Sequence, residues 1–181
     1  MQINDQGWLE GVQHSPSPNC DARPAGMPVD LLVIHNISLP PGEFAGQDVE
    51  AFFTNTLDWH KHPYYQTEIR GMTVSAHLFI RRDGAIVQFV SFLERAWHAG
   101  ISRFEGRERC NDFSIGIEMQ GTDTLPYTDA QYTALAKITR VLMQTYPGIT
   151  ASRITGHSDI APGRKTDPGA SFDWQRYLGM L

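Results

Sequence analysis

The strongest constraint on the fold is a short apolar run near the start of the chain. Residues 31–34 read Leu-Leu-Val-Ile, preceded by Asp30 and followed by His35. A strand with one wet face alternates apolar and polar residues, so an unbroken run of this length predicts a strand that is covered on both faces. Such a strand needs a packed layer on each side. The run therefore favours an α/β protein and places His35 at the carboxyl end of a buried strand.

Three further strands are indicated by local pattern. Residues 76–80 and 85–89 are apolar-rich and flank Asp83-Gly84, a pair typical of tight β-hairpin turns. Residues 113–119 alternate large apolar with small or polar side chains, which predicts another strand with Glu118 on the opposite face from Ile117. The hairpin makes one strand pair antiparallel, so we expect a mixed sheet.

Two helices are predicted from capping residues and apolar spacing. Asp48 is a candidate cap for a helix that runs to about Trp59. Thr128 and Gln131 form a capping-box pair at the start of a second helix, whose apolar periodicity continues until Pro147. The second helix has the clearer boundaries, because both of its ends carry a signal.

The remaining elements are short, and they complete a single domain. They are a strand over residues 153–155, a long loop over 156–170 and a brief helix over 174–178. We predict an α/β fold over residues 1–181, with a central mixed sheet flanked by α-helices. The chain of 181 residues shows no segment large enough for a second core.

Composition excludes several classes of function. Fifteen basic and twenty acidic side chains give a formal net charge of −5, the wrong sign for a general nucleic-acid binder. The N-terminal residues lack the pattern of a signal peptide, and no run of 18 apolar residues predicts a membrane span. Cys20 and Cys110 are too few for a disulfide scaffold. We therefore expect a cytoplasmic chain with no membrane or nucleic-acid partner.

The loop after residue 155 carries the candidate chemistry. It contains His157 and Asp167 among glycines and prolines, and His35 lies at a strand end. Two histidines and one carboxylate are the ligands of many catalytic zinc sites, which leave a fourth position open. From the residue types alone, the loop is more simply explained as a capped surface turn, since the chain has no HExxH or CxxC motif.

Several separated blocks of sequence resemble one family. They are residues 33–44 (VIHNISLPPGEF), 95–100 (RAWHAG), 106–118 (GRERCNDFSIGIE) and 155–169. In this order they resemble the AmpD family, cytoplasmic N-acetylmuramoyl-L-alanine amidases that act on 1,6-anhydromuropeptides. The resemblance implies an amidase or peptidoglycan-recognition-like fold, a muropeptide substrate and a role in peptidoglycan recycling.

The resemblance also implies roles for individual residues. Zinc ligands fall on His35, His157 and Asp167. The catalytic acid–base falls on Glu118, which would move a proton from the attacking water to the departing amine, and Lys165 would stabilise the oxyanion. Substrate-binding positions fall on Asn36 and Arg109. One family arginine, just before the string SAH, has no counterpart here, and Arg70 is the candidate replacement.

Other polar residues have competing interpretations. Trp97 is a candidate stacking wall for a sugar, although packing is the commoner use of tryptophan. His77 and His98 are competing metal ligands by residue type, and we assign them structural or pocket-lining roles. Arg107 and Arg109 are candidate binders of an acidic peptide stem.

Two alternatives to a monomeric recycling amidase stay open. The first is a non-catalytic peptidoglycan-recognition module on the same scaffold, which the complete set of three ligands disfavours. The second is a periplasmic muramyl amidase of broader specificity, which the missing signal-peptide pattern disfavours.

Overall fold

A computed structural model describes residues 1–181 and centres on a six-stranded sheet. The strands, in chain order, are β1 (Gln13–His14), β2 (Cys20–Ala22), β3 (Leu31–Ile37), β4 (Leu78–Ile80), β5 (Ile86–Gln88), β6 (Glu94–Ala96), β7 (Arg103–Phe104), β8 (Arg107–Glu108), β9 (Ser114–Gln120) and β10 (Ile154–Gly156). The α-helices are α1 (Asp48–Phe53), α2 (Pro63–Thr67), α3 (Asp129–Thr145), α4 (His157–Ile160) and α5 (Trp174–Gly179). Single 3₁₀ turns cover Trp59–Lys61, Cys110–Asp112 and Ala151–Arg153.

The central sheet is mixed. Its strand order is β1-β5-β4-β9-β3-β10, and β4, β9, β3 and β10 are mutually parallel. The β4–β5 pair is antiparallel, so the predicted hairpin is confirmed. Two small two-stranded sheets, β2-β6 and β7-β8, lie outside it. The predicted α/β class, with helices flanking a mixed sheet, is confirmed.

Strand β3 is buried on both faces, as its apolar run predicts. Leu32 and Ile34 pack in the main core beneath α3, while Leu31 and Val33 pack in a smaller cluster on the opposite face. The strand continues to Ile37, two residues beyond the predicted end, because its pairing with β9 extends that far. His35 is therefore inside the strand, near its carboxyl end.

Helix α3 matches its predicted boundaries. The Thr128 hydroxyl accepts a hydrogen bond from the Gln131 backbone N–H at 3.1 Å, and the Gln131 side-chain oxygen accepts one from the Thr128 N–H at 3.1 Å. The helix ends at Thr145, before Pro147, which cannot continue the backbone hydrogen bonding. Its apolar stripe packs on the sheet through Leu135 and its neighbours, which closes the main core.

Helix α1 is shorter than predicted and begins differently. The prediction of a helix from Asp48 to about Trp59 is wrong beyond Phe53. Asn55 adopts a left-handed conformation with φ of 60°, and its side chain exchanges hydrogen bonds of 2.9 Å with that of Asn19. This distant contact ends the helix. Asp48 is the first helical residue rather than the cap, and its carboxylate accepts a hydrogen bond from Tyr65.

The predicted loop over residues 156–170 is wrong at its start, which forms α4. The Asp159 carboxylate accepts hydrogen bonds from the Gly156 N–H at 2.9 Å and the Thr155 hydroxyl at 3.0 Å, so the chain turns into a helix directly after β10. The short strand and the C-terminal helix α5 are confirmed. None of the helices combines the length and the apolar character needed to cross a bilayer.

Candidate metal centre

Sheet topology brings two distant parts of the chain together at one edge. Because β9, β3 and β10 are parallel neighbours, their carboxyl ends lie side by side. His35 is the register partner of Glu118, so both side chains leave the same face of the sheet. Gly156 is the register partner of Ile34, which places His157 next to His35.

Three ligand atoms converge at this edge. His35 Nδ1 lies 2.9 Å from His157 Nδ1, and Asp167 Oδ2 lies 3.0 Å from each of the two nitrogens. Asp167 is held by its own backbone carbonyl, which accepts a 2.9 Å hydrogen bond from the Ser158 N–H. The structure thus brings together the three residues that the resemblance implies as ligands.

The outer nitrogens of both imidazoles show which atoms are free to bind a cation. His157 Nε2 lies 3.1 Å from the Ala99 carbonyl oxygen, which only accepts, so Nε2 carries the proton and Nδ1 carries a lone pair. His35 Nε2 lies 2.9 Å from His98 Nδ1. When the Nε2 of His35 carries the proton, it donates a hydrogen bond to His98 Nδ1, and the Nδ1 of His35 has a lone pair. Two lone pairs and one carboxylate oxygen then face a common point.

Burial and hydrogen bonding set the charges of this donor set. Burial lowers the pKa of His35 to about 4, so its imidazole is neutral at pH 7. Burial alone would raise the pKa of Asp167, but the hydrogen bonds with His157 and His35 outweigh it and hold that pKa well below its usual range. A carboxylate beside a neutral imidazole, in a site closed on one side, fits a divalent ion of zinc type.

Glu118 is the unsatisfied group of the site. Its Oε2 is buried and has no hydrogen-bond partner. Burial raises the pKa of Glu118 well above its usual value, the charge of Asp167 raises it further, and the charge of Lys165 opposes both. A carboxyl group whose pKa is raised by burial next to a cation site is a candidate for accepting and releasing a proton.

A cavity of about 660 Å³ opens over these groups. His157, Asp167, Glu118 and Lys165 line it, and His35 is buried behind them, 1% exposed. Asn36 and Trp97, predicted to bind substrate, also lie in its wall. The Asn36 amide donates to Asp123 at 2.8 Å, and the Trp97 indole N–H donates to Asp21 at 3.2 Å, so both are anchored from behind.

The predicted arginines lie elsewhere. Arg109 is 71% exposed, contacts Asp112 at 3.3 Å and lines a second depression, which meets the main cavity at Arg164. Arg107 binds Asp30 at 2.7 Å, near the opposite end of β3, so it is not free to bind a peptide stem. Arg70 is exposed and lies outside the cavity wall.

Part of the cavity wall was not predicted as functional. The apolar part of the wall includes Phe52 and Phe53 of α1, together with Leu39 and Tyr64. The apolar spacing of α1 predicts packing in the core. An apolar side chain that lines a cavity has the same sequence pattern as one that is buried in the core, so the pattern does not reveal the cavity wall. Asp123, which holds Asn36, carries no signal of its own either.

The chain is similar to known proteins in sequence and in fold. The family model described as N-acetylmuramoyl-L-alanine amidase matches residues 25–170. A relative from Escherichia coli (strain K12), "1,6-anhydro-N-acetylmuramyl-L-alanine amidase AmpD", is 61% identical over 96% of this chain and 93% of its own length. The crystal structure of a selenomethionine AmpD derivative matches with a TM-score of 0.96 at 57% identity, over 100% of this chain and 99% of that one.

A more distant solved structure carries a ligand. It is the E. coli N-acetylmuramyl-L-alanine amidase AmiD in complex with anhydro-N-acetylmuramic acid-L-Ala-D-gamma-Glu-L-Lys. The TM-score is 0.62 at 29% identity, with 86% of this chain and 59% of that chain covered.

Proposed function

Because this chain belongs to the N-acetylmuramoyl-L-alanine amidase family, we propose that it hydrolyses the amide bond joining 1,6-anhydro-N-acetylmuramic acid to L-alanine. The proposed role is the recycling of peptidoglycan fragments, with free anhydromuropeptides as substrates. The name of the E. coli relative supports this bond, and the ligand of the AmiD complex contains it.

A single observation carries the proposal at the level of chemistry. Glu118, with an unpartnered buried oxygen, leaves the sheet beside His35, and the other two ligand atoms lie within hydrogen-bond distance of His35 Nδ1. A structural role would give a buried carboxylate a partner. The arrangement instead combines a cation site and a proton acceptor in one cavity.

We propose Zn²⁺ as the ion, held by His35 Nδ1, His157 Nδ1 and Asp167 Oδ2. When bound, zinc supplies Lewis acidity, which polarises an amide carbonyl and makes water a nucleophile at neutral pH. Two neutral imidazoles and one carboxylate leave a net charge of +1 at the loaded site, so they do not quench that acidity.

Glu118 moves the proton in this mechanism. Its carboxylate takes a proton from the attacking water and delivers it to the nitrogen of the departing L-alanine. Burial raises the pKa of Glu118, so its affinity for a proton is closer to that of the attacking water and of the departing amine. Its Oε2 makes no hydrogen bond to another group of the protein, so it is free to accept a proton.

Lys165 supplies positive charge in the cavity. It lies two residues before the ligand Asp167, and its charge acts on both Glu118 and His35. We propose that its ammonium group stabilises the negative charge that develops on the amide oxygen. Positive charge close to the developing oxyanion lowers the energy of the transition state.

Asn36 and Trp97 form the proposed sugar-binding wall. The Asn36 amide is held beside the first ligand by Asp123, and the Trp97 ring faces the cavity with its N–H already bonded to Asp21. A stacked indole and an oriented amide are suited to a pyranose ring and its acetamido group. Arg109 stays a proposed contact for the far end of the peptide stem. It lines the second depression, and Arg164 lies between that depression and the main cavity.

We further propose that residues 1–181 act as one domain, as a monomer, in the cytoplasm. Strand β1 pairs with β5 and Tyr177 of α5 packs in the main core, so both ends of the chain join one unit. The three proposed ligands and Glu118 all come from one chain, so the proposed chemistry needs no second subunit. Cys20 and Cys110 are free thiols, as a reducing compartment favours.

Metal analysis coupled to hydrolysis of purified anhydromuropeptide tests the proposal. We expect zinc in the active protein, loss of cleavage on chelation and recovery on adding Zn²⁺. His157→Ala removes a ligand and is expected to abolish cleavage, whereas His60→Ala, at an exposed histidine, is expected to leave it unchanged. Full activity in a zinc-free preparation would refute the mechanism.

The same assay separates the alternatives. Binding of anhydromuropeptide without cleavage, in zinc-loaded protein, would identify a recognition module. Cleavage of intact cell wall at a rate comparable with free anhydromuropeptide would identify a broad-specificity enzyme. We expect preference for the free fragment.

A further inference from the structure

We propose that His98 is a positioning residue that prepares His35 to bind the metal ion. The inference rests on the metal centre proposed above and adds a residue that does not itself touch the ion. His98 acts through one hydrogen bond, on the side of His35 that faces away from the ligand cluster.

The contact lies in a short chain of polar groups. His35 Nε2 is 2.9 Å from His98 Nδ1, and His98 Nε2 is 3.1 Å from the Ser114 hydroxyl. A neutral imidazole carries one N–H, so the direction of one hydrogen bond decides the direction of the next. When Ser114 accepts from His98 Nε2, His98 Nδ1 accepts from His35 Nε2, and His35 Nδ1 keeps its lone pair.

That tautomer is the one that metal binding requires. A protonated Nδ1 on His35 could only donate to His157 or Asp167 and would exclude a cation from the centre of the cluster. In that arrangement His98 holds His35 in its metal-binding form and fixes the plane of its ring. The Ala99 carbonyl does the same for His157, so each histidine ligand has its own outer partner.

The backbone around His98 is built to hold it there. The N–H groups of His98 and Ala99 both donate to the side-chain oxygen of Asn111, at 3.2 and 2.8 Å. From the sheet side, Gly116 leaves the space that the ring occupies. A Cβ on Gly116 would lie 2.5 Å from His98 Cγ and Nδ1, a distance that forces the ring to move.

His77 provides a matched control. It is also a histidine on the same face, with a ring centroid 5.7 Å from that of His98, and it is completely buried. Its Nδ1 accepts from the Gly116 N–H at 3.0 Å, and its Nε2 faces Arg23 and the Glu94 carbonyl. It makes no hydrogen bond to any of the three ligands.

The test measures the zinc dissociation constant by competition with a chromogenic chelator, together with thermal unfolding of each zinc-loaded variant. His98→Phe keeps a ring and loses the acceptor, and we expect zinc affinity to fall by about 10- to 100-fold. His98→Asn places an amide oxygen near the former Nδ1, and we expect it to recover most of the affinity. His77→Phe is expected to bind zinc within about twofold of the wild type, because it alters no ligand contact.

A second variant reaches His98 from the sheet. Gly116→Ala removes no polar group but displaces the His98 ring, so we expect weaker zinc binding here too. It also serves if His98→Phe fails to fold. Wild-type affinity in both His98→Phe and Gly116→Ala would overturn the inference, as would equal losses in His77→Phe and His98→Phe. A wild-type chain that binds no zinc would instead overturn the metal centre itself.

Discussion

The two faces of the β3–β9 strand pair differ in whether their buried polar groups have hydrogen-bond partners. On the face covered by α3, Leu32, Ile34, Ile115 and Ile117 lie in the main core. Buried polar groups on that side have partners, such as the Thr139 hydroxyl, which donates to the Leu135 carbonyl at 2.8 Å.

The opposite face of the same strands carries His35, Gly116 and Glu118, and one Glu118 oxygen has no partner at all. Near the carboxyl ends of the two strands, successive residues therefore alternate between the main core and the site. The difference indicates that packing of the core makes the strands rigid. The rigid strands can then hold a buried carboxyl without a partner, which costs free energy, in the site. We call the face packed against α3 the covered face, and the face that carries His35 and Glu118 the open face. The covered face is expected to determine stability and the open face to determine activity.

Glu118→Gln gives the largest expected effect and tests the open face. The amide keeps the shape but cannot accept a proton, so we expect amide hydrolysis to fall by about 10²- to 10⁴-fold. Because burial raises the pKa of Glu118, removing the charge is expected to leave the melting temperature unchanged or higher. Single-turnover hydrolysis and calorimetry measure the two effects. Retained activity would remove Glu118 from the mechanism.

Leu135→Ala tests the covered face. Leu135 is completely buried in the main core, and we expect the free energy of unfolding to fall by about 2–5 kcal/mol. Well below the melting temperature, kcat is expected to stay near the wild-type value, because no group of the cavity moves. Denaturant unfolding and steady-state kinetics provide the measurements. A large loss of kcat without loss of stability would show that the two faces are not separable.

Thr128→Ala asks whether the cap of α3 contributes to stability alone. The substitution removes the hydroxyl that accepts from the Gln131 N–H, which is expected to lower the free energy of unfolding by about 1 kcal/mol. The same hydroxyl donates to the Arg82 carbonyl at 2.6 Å, and Thr128→Ser, which keeps both bonds, is the control. Denaturant midpoints at constant slope give the comparison, and equal stability of the Ala and Ser variants would contradict it.

Arg109→Ala gives the smallest expected effect and tests whether a residue outside the main cavity contributes to substrate binding. The side chain is exposed and lies outside the main cavity, and an exposed ion pair contributes about 0–1 kcal/mol. We therefore expect the KM for anhydromuropeptide to rise by about two- to fivefold, with stability unchanged. An unchanged KM would exclude Arg109 from substrate binding.

Local signals predicted those elements whose ends are set by neighbouring residues. Helix α3 has its capping box and a following proline, and the β4–β5 hairpin has its Asp-Gly turn. Helix α1 was predicted too long because its end depends on Asn55 bonding to Asn19, 36 residues away. The start of α4 was missed although its signal is local: the Asp159 carboxylate accepts a hydrogen bond from the Gly156 N–H three residues earlier.

The candidate site shows the same division. His35, His157, Asp167, Glu118 and Lys165 were named from the resemblance to the AmpD family, and the comparisons confirm that resemblance. Their individual roles stay predictions until the variants are measured. His98 was assigned only a structural or pocket-lining role, because its contact with His35 depends on the space left by Gly116 on another strand.

By itself, the sequence determined the α/β class and five of the six strands of the central sheet, because apolar periodicity and turn chemistry act over a few residues. The resemblance of its separated sequence blocks identified the family. Only the tertiary structure decided that three ligand atoms separated by up to 132 positions meet within 3.0 Å, and that Glu118 has an oxygen without a partner. The physical reason is strand register. Which side chains face each other across β3, β9 and β10 depends on hydrogen bonding between strands that are far apart along the chain.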